Sequence, residues 1–272
     1  MSNVTFRLRK AAATGGSALA LALVLGVAAS TCAGAGEAEA RSLLKAMSDY
    51  MAGQKAISFG YDANFEIVTT EDQRIALASS GAVTLARPDK IRASRVGGFA
   101  NIDMVFDGKT LTLLGKNANV YAQVEIPGTI DHLVDELKDK YHRPLPAADL
   151  LLSNVYDQLM PDVIDVKDLG SGVIGGTECD HLAFRNKEVD WQIWIAQGAQ
   201  PYPCRFVITS KLVAGGPHYS IQVRNWKTEG DVTSSDFTFK APAGAKSVDV
   251  KDLKTIPEMD EMPSHFTRGG AQ

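Results

Sequence analysis

Cys179-Asp180-His181 is the densest run of reactive side chains in the chain. A thiol, a carboxylate and an imidazole are the parts of a nucleophile, an orienting acid and a base. Their setting argues against that use. The run continues through Leu182-Ala183-Phe184, a short polar turn, Val189-Asp190-Trp191-Gln192-Ile193-Trp194-Ile195, and then Arg205-Phe206-Val207-Ile208-Thr209. Period-two alternation of aromatic and β-branched residues makes this three antiparallel strands. Neighbours along a strand point to opposite faces, so Asp180 and His181 do not cooperate easily, and His181 reads as a satisfied strand histidine. Trp191 and Trp194 fall on opposite faces of one strand, which requires both faces to be at least partly covered. Both, like Trp226, read as core before ligand-stacking residues.

The other chemistry-bearing residues are weaker signals. His132, His142, His181, His218 and His265 show no metal-ligand spacing, and three cysteines are too few for a structural zinc site. Gly170-Ser171-Gly172-Val173-Ile174-Gly175 spells G-x-G-x-x-G. A dinucleotide site needs a helix next, to bring its N-terminus to the pyrophosphate, and Thr177 to Phe184 reads as a strand; these glycines are expected to be turns. Asp131, Asp135, Glu136 and Asp139 read as a solvated helix face, with a weak cation site at Asp131 and Asp135 as the second reading. The expectation is a protein without catalytic residues, cofactor or metal.

The elements that position these residues begin after a targeting segment. Arg7, Arg9 and Lys10 precede an uncharged apolar run from Ala18 to Ala29, too short to span a bilayer comfortably and of the length of a signal-peptide core. Ala33-Gly34-Ala35 supplies the small-residue pattern for cleavage after Ala35. The alternative is a lipoprotein anchored through Cys32, although Ala29-Ser30-Thr31 fits that signal loosely. Residues 1–35 carry three basic and no acidic residues, so their removal takes the formal charge from −4 to −7. That argues against a nucleic-acid partner. No later run is long enough for a transmembrane helix. In an oxidising compartment Cys179 and Cys204 could pair. They sit on the first and third of three strands, about 9–10 Å apart, too far for a bridge. The long Gln197–Pro203 connection leaves the question open.

Leu43, Leu44, Met47, Tyr50 and Met51 make a helix of 37–53. Ile57, Phe59, Tyr61, Ala63, Phe65 and Ile67 then alternate with polar residues, and Ile75, Leu77, Gly81, Val83 and Leu85 repeat the pattern. Arg87-Pro88-Asp89-Lys90 is a turn before a strand of 91–96. Asp107-Gly108 joins strands 102–106 and 110–114 as a two-residue hairpin, and a strand follows at 121–124. Thr129 caps a helix of 130–141 carrying Leu133, Val134 and Leu137 on one stripe. An unusually apolar helix is expected over 147–160. Strands resume at Val163 and end with 219–226 and 237–239, and residues 255–272 read as a mobile tail. This order predicts an α+β domain over residues 36–254: one strongly curved antiparallel sheet, a half-open β-barrel, with helices packed on its concave face.

Asp107-Gly108-Lys109-Thr110-Leu111-Thr112-Leu113 with Asn119-Val120-Tyr121-Ala122, and more specifically Cys179 to Phe184 with Asp190 to Ile195 and Pro203 to Lys211, resemble a family of predicted periplasmic proteins of unknown function. The resemblance spans roughly residues 37–250 and departs at Cys204, where a basic residue is expected. That family is similar in architecture to the LolA, LolB and LppX group. The resemblance therefore implies a half-open barrel plugged by helices, in a group that carries lipids or lipoproteins through the periplasm and includes a stress sensor. Together with the one-sided strands, it gives the leading expectation: a periplasmic carrier whose partner is a lipid or acylated protein. Phe59, Tyr61, Phe65, Ile67, Leu77 and Val83 would line an apolar cavity, and Leu133, Leu137, Leu151, Leu152 and Val155 would form its lid. A sensor or interaction protein meeting an envelope protein is the alternative, and a periplasmic hydrolase ranks below both.

Overall fold

The computed structural model describes residues 29–143, 145–228 and 237–259. The basic and apolar parts of the expected leader, His265, and the tail beyond Met259 lie outside the described residues. The boundary drawn between Ala35 and Gly36 falls inside the first helix, α1 (Ala29–Gly53).

Two antiparallel meanders carry the fold. The first holds β1 (Ala56–Val68), β2 (Arg74–Ala86), β3 (Lys90–Gly97), β4 (Asn101–Phe106), β5 (Thr110–Gly115) and β6 (Val120–Glu125). The second holds β7 (Asp165–Ile174), β8 (Thr177–Arg185), β9 (Val189–Ala196), β10 (Pro203–Ser210) and β11 (His218–Thr228). Between them lie α2 (Ile130–Asp139), a 3-10 turn at Ala148–Leu151 and α3 (Val155–Leu159). β11 returns to pair with β1, and β12 (Lys246–Ser247) adds a short parallel edge to β6. The twelve strands form one sheet in the order β12-β6-β5-β4-β3-β2-β1-β11-β10-β9-β8-β7, with its two ends unpaired to each other.

The sheet is strongly curled. Leu111 on β5 and Leu182 on β8 belong to one buried cluster, yet a flat sheet would hold those strands about 40 Å apart at the usual strand spacing. α1 fills the space inside the curl. Its Ala40, Leu44, Met47 and Met51 recur at three- and four-residue steps and are wholly buried, in one cluster with Ile57, Leu85, Phe106, Ile193 and Phe206. α2 adds Ile130, Leu133 and Leu137, with the Thr129 hydroxyl accepting from the His132 backbone N–H at 3.2 Å.

Four sequence expectations change. The apolar stretch 147–160 is no single helix: Ala147 takes a left-handed φ of 63° and Leu152 is extended, so the 3-10 turn and α3 are separate. An all-round apolar run has no stripe for a long helix to bury, and short turns seal more of its residues. Glycines 170 to 175 are not simply turns, since Gly170 sits at a bulge within β7 and Gly175-Gly176 alone make the turn to β8. Phe237–Phe239 forms no strand among the described residues; Phe237 is buried and Phe239 tilts against Tyr121. Residues 255–259, placed in the tail by the sequence, are docked: the buried Glu258 carboxylate accepts from the backbone N–H groups of Asn117 and Ala118.

Candidate functional site on the inner face

Pairing register defines the inner face. Paired residues share a face, and every second residue returns to it. Rows therefore run across the sheet: Phe59 with Val83, Ala93 and Met104; Tyr61 with Gly81, Arg95 and Ile102; and Phe65 with Leu77. On the other side of β1, Tyr61 meets Val223, Ala63 meets Ile221 and Phe65 meets Tyr219.

The residues expected to bind ligand divide along this face. Phe59, Val83, Leu133, Leu137 and Val155 are buried together in the main cluster, and Leu151 and Tyr61 pack against it. Leu152 and Ile67 are buried outside that cluster. Phe65 and Leu77 are half-buried and lie beyond it. One end of the inner face is thus closed by helices, while toward the β1–β2 turn a half-buried row of Tyr61, Phe65, Leu77, Tyr219, Ile221 and Val223 continues it.

Gly81 makes that row possible. A Cβ there would stand 2.0 Å from the Ser94 carbonyl oxygen and 2.6 Å from the Tyr61 ring. Its absence lets Tyr61 lie across β2 and donate its hydroxyl to the Ser94 carbonyl at 2.9 Å. Burial pushes the Tyr61 phenol up, and the nearby positive charge of Arg95 opposes the shift. Tyr219 is pushed up further, first by burial and then by the Tyr61 phenol, again against Arg95. Both phenols stay protonated, and the Tyr61 proton is the one given to Ser94.

The helical cover is tied to the sheet by Arg87, in the turn between β2 and β3. Its guanidinium donates to the carbonyls of Leu151 at 2.8 Å, Leu152 at 3.3 Å and Met51 at 3.4 Å. Those are carbonyls at the ends of the 3-10 turn and α1, which lack partners within their own helices. Burial lowers the Arg87 pKa, partly offset by Asp131. Asp131 itself accepts from Ser153, through both its backbone N–H and its hydroxyl, so this member of the acidic helix face ties α2 to the cover. Among the described residues no group of three or more His, Cys, Asp or Glu side chains could hold a metal ion.

The outer face carries the remaining reactive residues. Trp191 points inward and stacks on Phe184 with ring centroids 3.9 Å apart. Trp194 points outward under His181, 4.0 Å away, with the Arg205 guanidinium 5.5 Å from its ring. Its cover is therefore side chains of its own sheet. His181 bonds Gln192 at 3.0 Å, and Asp180 instead receives the Gln197 amide at 2.7 Å. Cys179 and Cys204 are free thiols, buried with Ala196 in a small separate cluster, each donating to the backbone carbonyl two residues before it, Thr177 at 3.4 Å and Tyr202 at 3.9 Å. Burial raises both pKa values, which starves them of the reactive thiolate. Native protein is expected to resist iodoacetamide at both positions and to take up two labels there on unfolding. Rapid labelling of folded protein would show the cluster to be open.

Arg87, Arg95 and Tyr219 were missed in the sequence. Arg95 and Tyr219 had a signal, because each alternates with inward apolar residues: Ile91 and Ala93 for the first, Ile221 and Val223 for the second. Arg87 had none, since its partners are more than thirty residues away in either direction.

No curated protein matches the chain. Among solved structures it is similar to an uncharacterized conserved protein from Thermus thermophilus at 12% identity, covering 78% of this chain and 99% of that one, with a TM-score of 0.47. It is also similar to the Mycobacterium tuberculosis lipoprotein LppX at 12% identity, covering 72% and 100%, with a TM-score of 0.38. The Pseudomonas aeruginosa MucA/MucB complex matches at 12% identity over 75% of this chain and 62% of that one, with a TM-score of 0.45. No helix among the described residues is long and apolar enough to cross a membrane. The sequence profile of one family covers residues 40–251, every strand of the sheet, and by that match the chain belongs to the predicted periplasmic proteins of the DUF2092 family.

Proposed function

We propose that this protein is a binding or carrier protein for a lipid, an acyl chain or the acyl part of a lipoprotein, and not an enzyme. The supporting observation is that the sealed core continues, without change of chemistry, into a half-buried apolar row on the inner face of the sheet. A tail laid along Tyr61, Phe65 and Leu77 gains about 25 cal/mol for each Å² removed from water, or ~0.8 kcal/mol per methylene. Deeper entry, along Phe59 and Val83, requires the cover of Leu133, Leu137, Leu151, Leu152 and Val155 to lift. That cover is built from one ten-residue helix and two shorter pieces, the kind of element that opens locally at low cost. Export with cleavage after Ala35, or anchoring at Cys32, belongs to the same proposal.

The test is an intact native mass of protein purified gently from its own envelope, with organic extraction of what is bound. A non-covalent mass of acyl type is expected from the natural protein. It should be lost from Phe65→Glu and Leu151→Asp variants whose circular dichroism is unchanged. Lipid retained by a folded Phe65→Glu variant would overturn the assignment of the site. Absence of acyl material from the natural protein would shift the reading to an envelope interaction protein. The same spectrum reads the N-terminus.

A further inference from the structure

Arg95 is out of place on the inner face. Its register partners there are Gly81 and Ile102, and the next rows hold Ala93 and Gly97. Other cations of the first meander have carboxylates: Arg92 and Lys116 meet Asp103, Lys109 meets Glu125, and Arg74 meets Glu66. Arg95 has no acidic partner among the described residues; its one close ring contact is Phe99, 5.9 Å from the guanidinium carbon. A partly buried cation among aromatic and aliphatic groups loses hydration that nothing on this face replaces. The acids on neighbouring strands, Asp62 on β1 and Asp103 on β4, alternate onto the opposite face.

The ligand-facing row begins at this cation. From the Tyr61–Gly81–Arg95 row to the Phe65–Leu77 row is four strand residues, about 13 Å, and buried Ile67 closes the far end. A positive charge at one end of an apolar strip complements an amphiphile with a negative head and one tail. The planar guanidinium fork fits a carboxylate through two parallel hydrogen bonds. We infer that the inner face takes a single-chain fatty carboxylate, with its head on Arg95 and its tail along Tyr61, Phe65 and Leu77. This inference rests on the lipid-binding reading above and specifies the ligand class of that same site.

Competitive displacement of a fluorescent acyl probe from the purified full chain tests it, with laurate, lauryl alcohol, lauryl phosphate and laurylammonium as competitors. Laurate should bind at least about tenfold more tightly than lauryl alcohol, the scale of one charge-assisted pair. Arg95→Gln should remove that preference while leaving the alcohol unchanged, and Arg95→Glu should turn it toward laurylammonium. That reversal has no explanation in a purely structural role. Should Arg95→Gln fail to fold, Arg95→Lys keeps the charge, and its preference for laurate over the alcohol carries the same test. Equal binding of laurate and alcohol by the natural chain, or a preference untouched by Arg95→Gln, overturns the head-group assignment and leaves the lipid reading standing. Tighter binding of lauryl phosphate overturns the carboxylate. Failure of all four amphiphiles to bind overturns both the inference and the reading beneath it.

Discussion

Phe106→Ala should lower the unfolding free energy by about 3–5 kcal/mol, the range for truncating a buried aromatic side chain. Phe106 is wholly buried. It lies between Ile91 on β3 and Leu111 on β5, in the cluster that also holds Leu44 and Met51 of α1. The substitution removes the ring and leaves a cavity within that cluster, between the paired side chains of β3 and β5. The measurement is the denaturant midpoint at unchanged slope. The outcome also bears on function. A loss under about 1 kcal/mol would show that this part of the core is loosely filled, and the proposed ligand site would then extend into it. A full loss keeps α1 as a dry plug and confines ready access to the row from Tyr61 to Leu77.

Arg87→Met should cost about 2–3 kcal/mol, within the range for losing hydrogen bonds to a charged donor. Methionine keeps most of the apolar stem, so the change isolates the guanidinium. Three carbonyls, of Met51, Leu151 and Leu152, lose the guanidinium together, Met51 keeping only the Gln54 N–H at 3.4 Å. Part of the loss is offset, because the cation is itself partly buried and its Nε has no hydrogen-bond partner. The effect should be local. Hydrogen exchange should rise at the end of α1 and through residues 148–159, while β1 to β5 keep their protection. Acyl exchange should speed up in the same variant if the cover is the gate. Unchanged exchange at 148–159 would mean that water replaces the guanidinium and that the cover is held by packing alone. Arg87→Lys is expected to fall between the two, since one ammonium cannot reproduce the planar fork.

What was legible in the sequence follows from how local its cause is. The alternation from Ile57 to Ile67 places six residues on one face, and they pair in register with β2 along its whole length. Asp107-Gly108 announces its hairpin because the turn is a local matter: Gly108 has a φ of 93°, and the Asp107 carboxylate accepts from the backbone N–H groups of Lys109 and Thr110. The stretch 147–160 is not legible in this way, because hydrophobicity alone does not say helix. Its breaks at Ala147 and Leu152 depend on Arg87 and on Asp131 binding Ser153, which are tertiary facts. β12 is two residues long and is specified by the edge of β6, not by its own pattern. In the candidate site, the apolar lining was visible as periodicity. Its polar members are harder to read: alternation with Ile91 and Ala93 places Arg95 on the inner face, but only register sets it beside Tyr61 and Gly81.

The pairing of β1 with β11 also orders events in time. Its partners, from Ile57 with Thr228 to Phe65 with Tyr219, lie more than 150 residues apart, whereas strands within each meander pair with their immediate neighbours. Each meander can zip as soon as its own turns close, but the seam must wait for the last long strand and then close a loop of nearly the whole sheet. The row from Tyr61 to Val223 and from Phe65 to Tyr219 straddles that seam. The proposed binding face is thus completed only when that seam closes: until β11 pairs with β1, the chain has two half-sheets and no such face. A partner that caught the open edge of β1 before β11 arrived would prevent the site from ever forming.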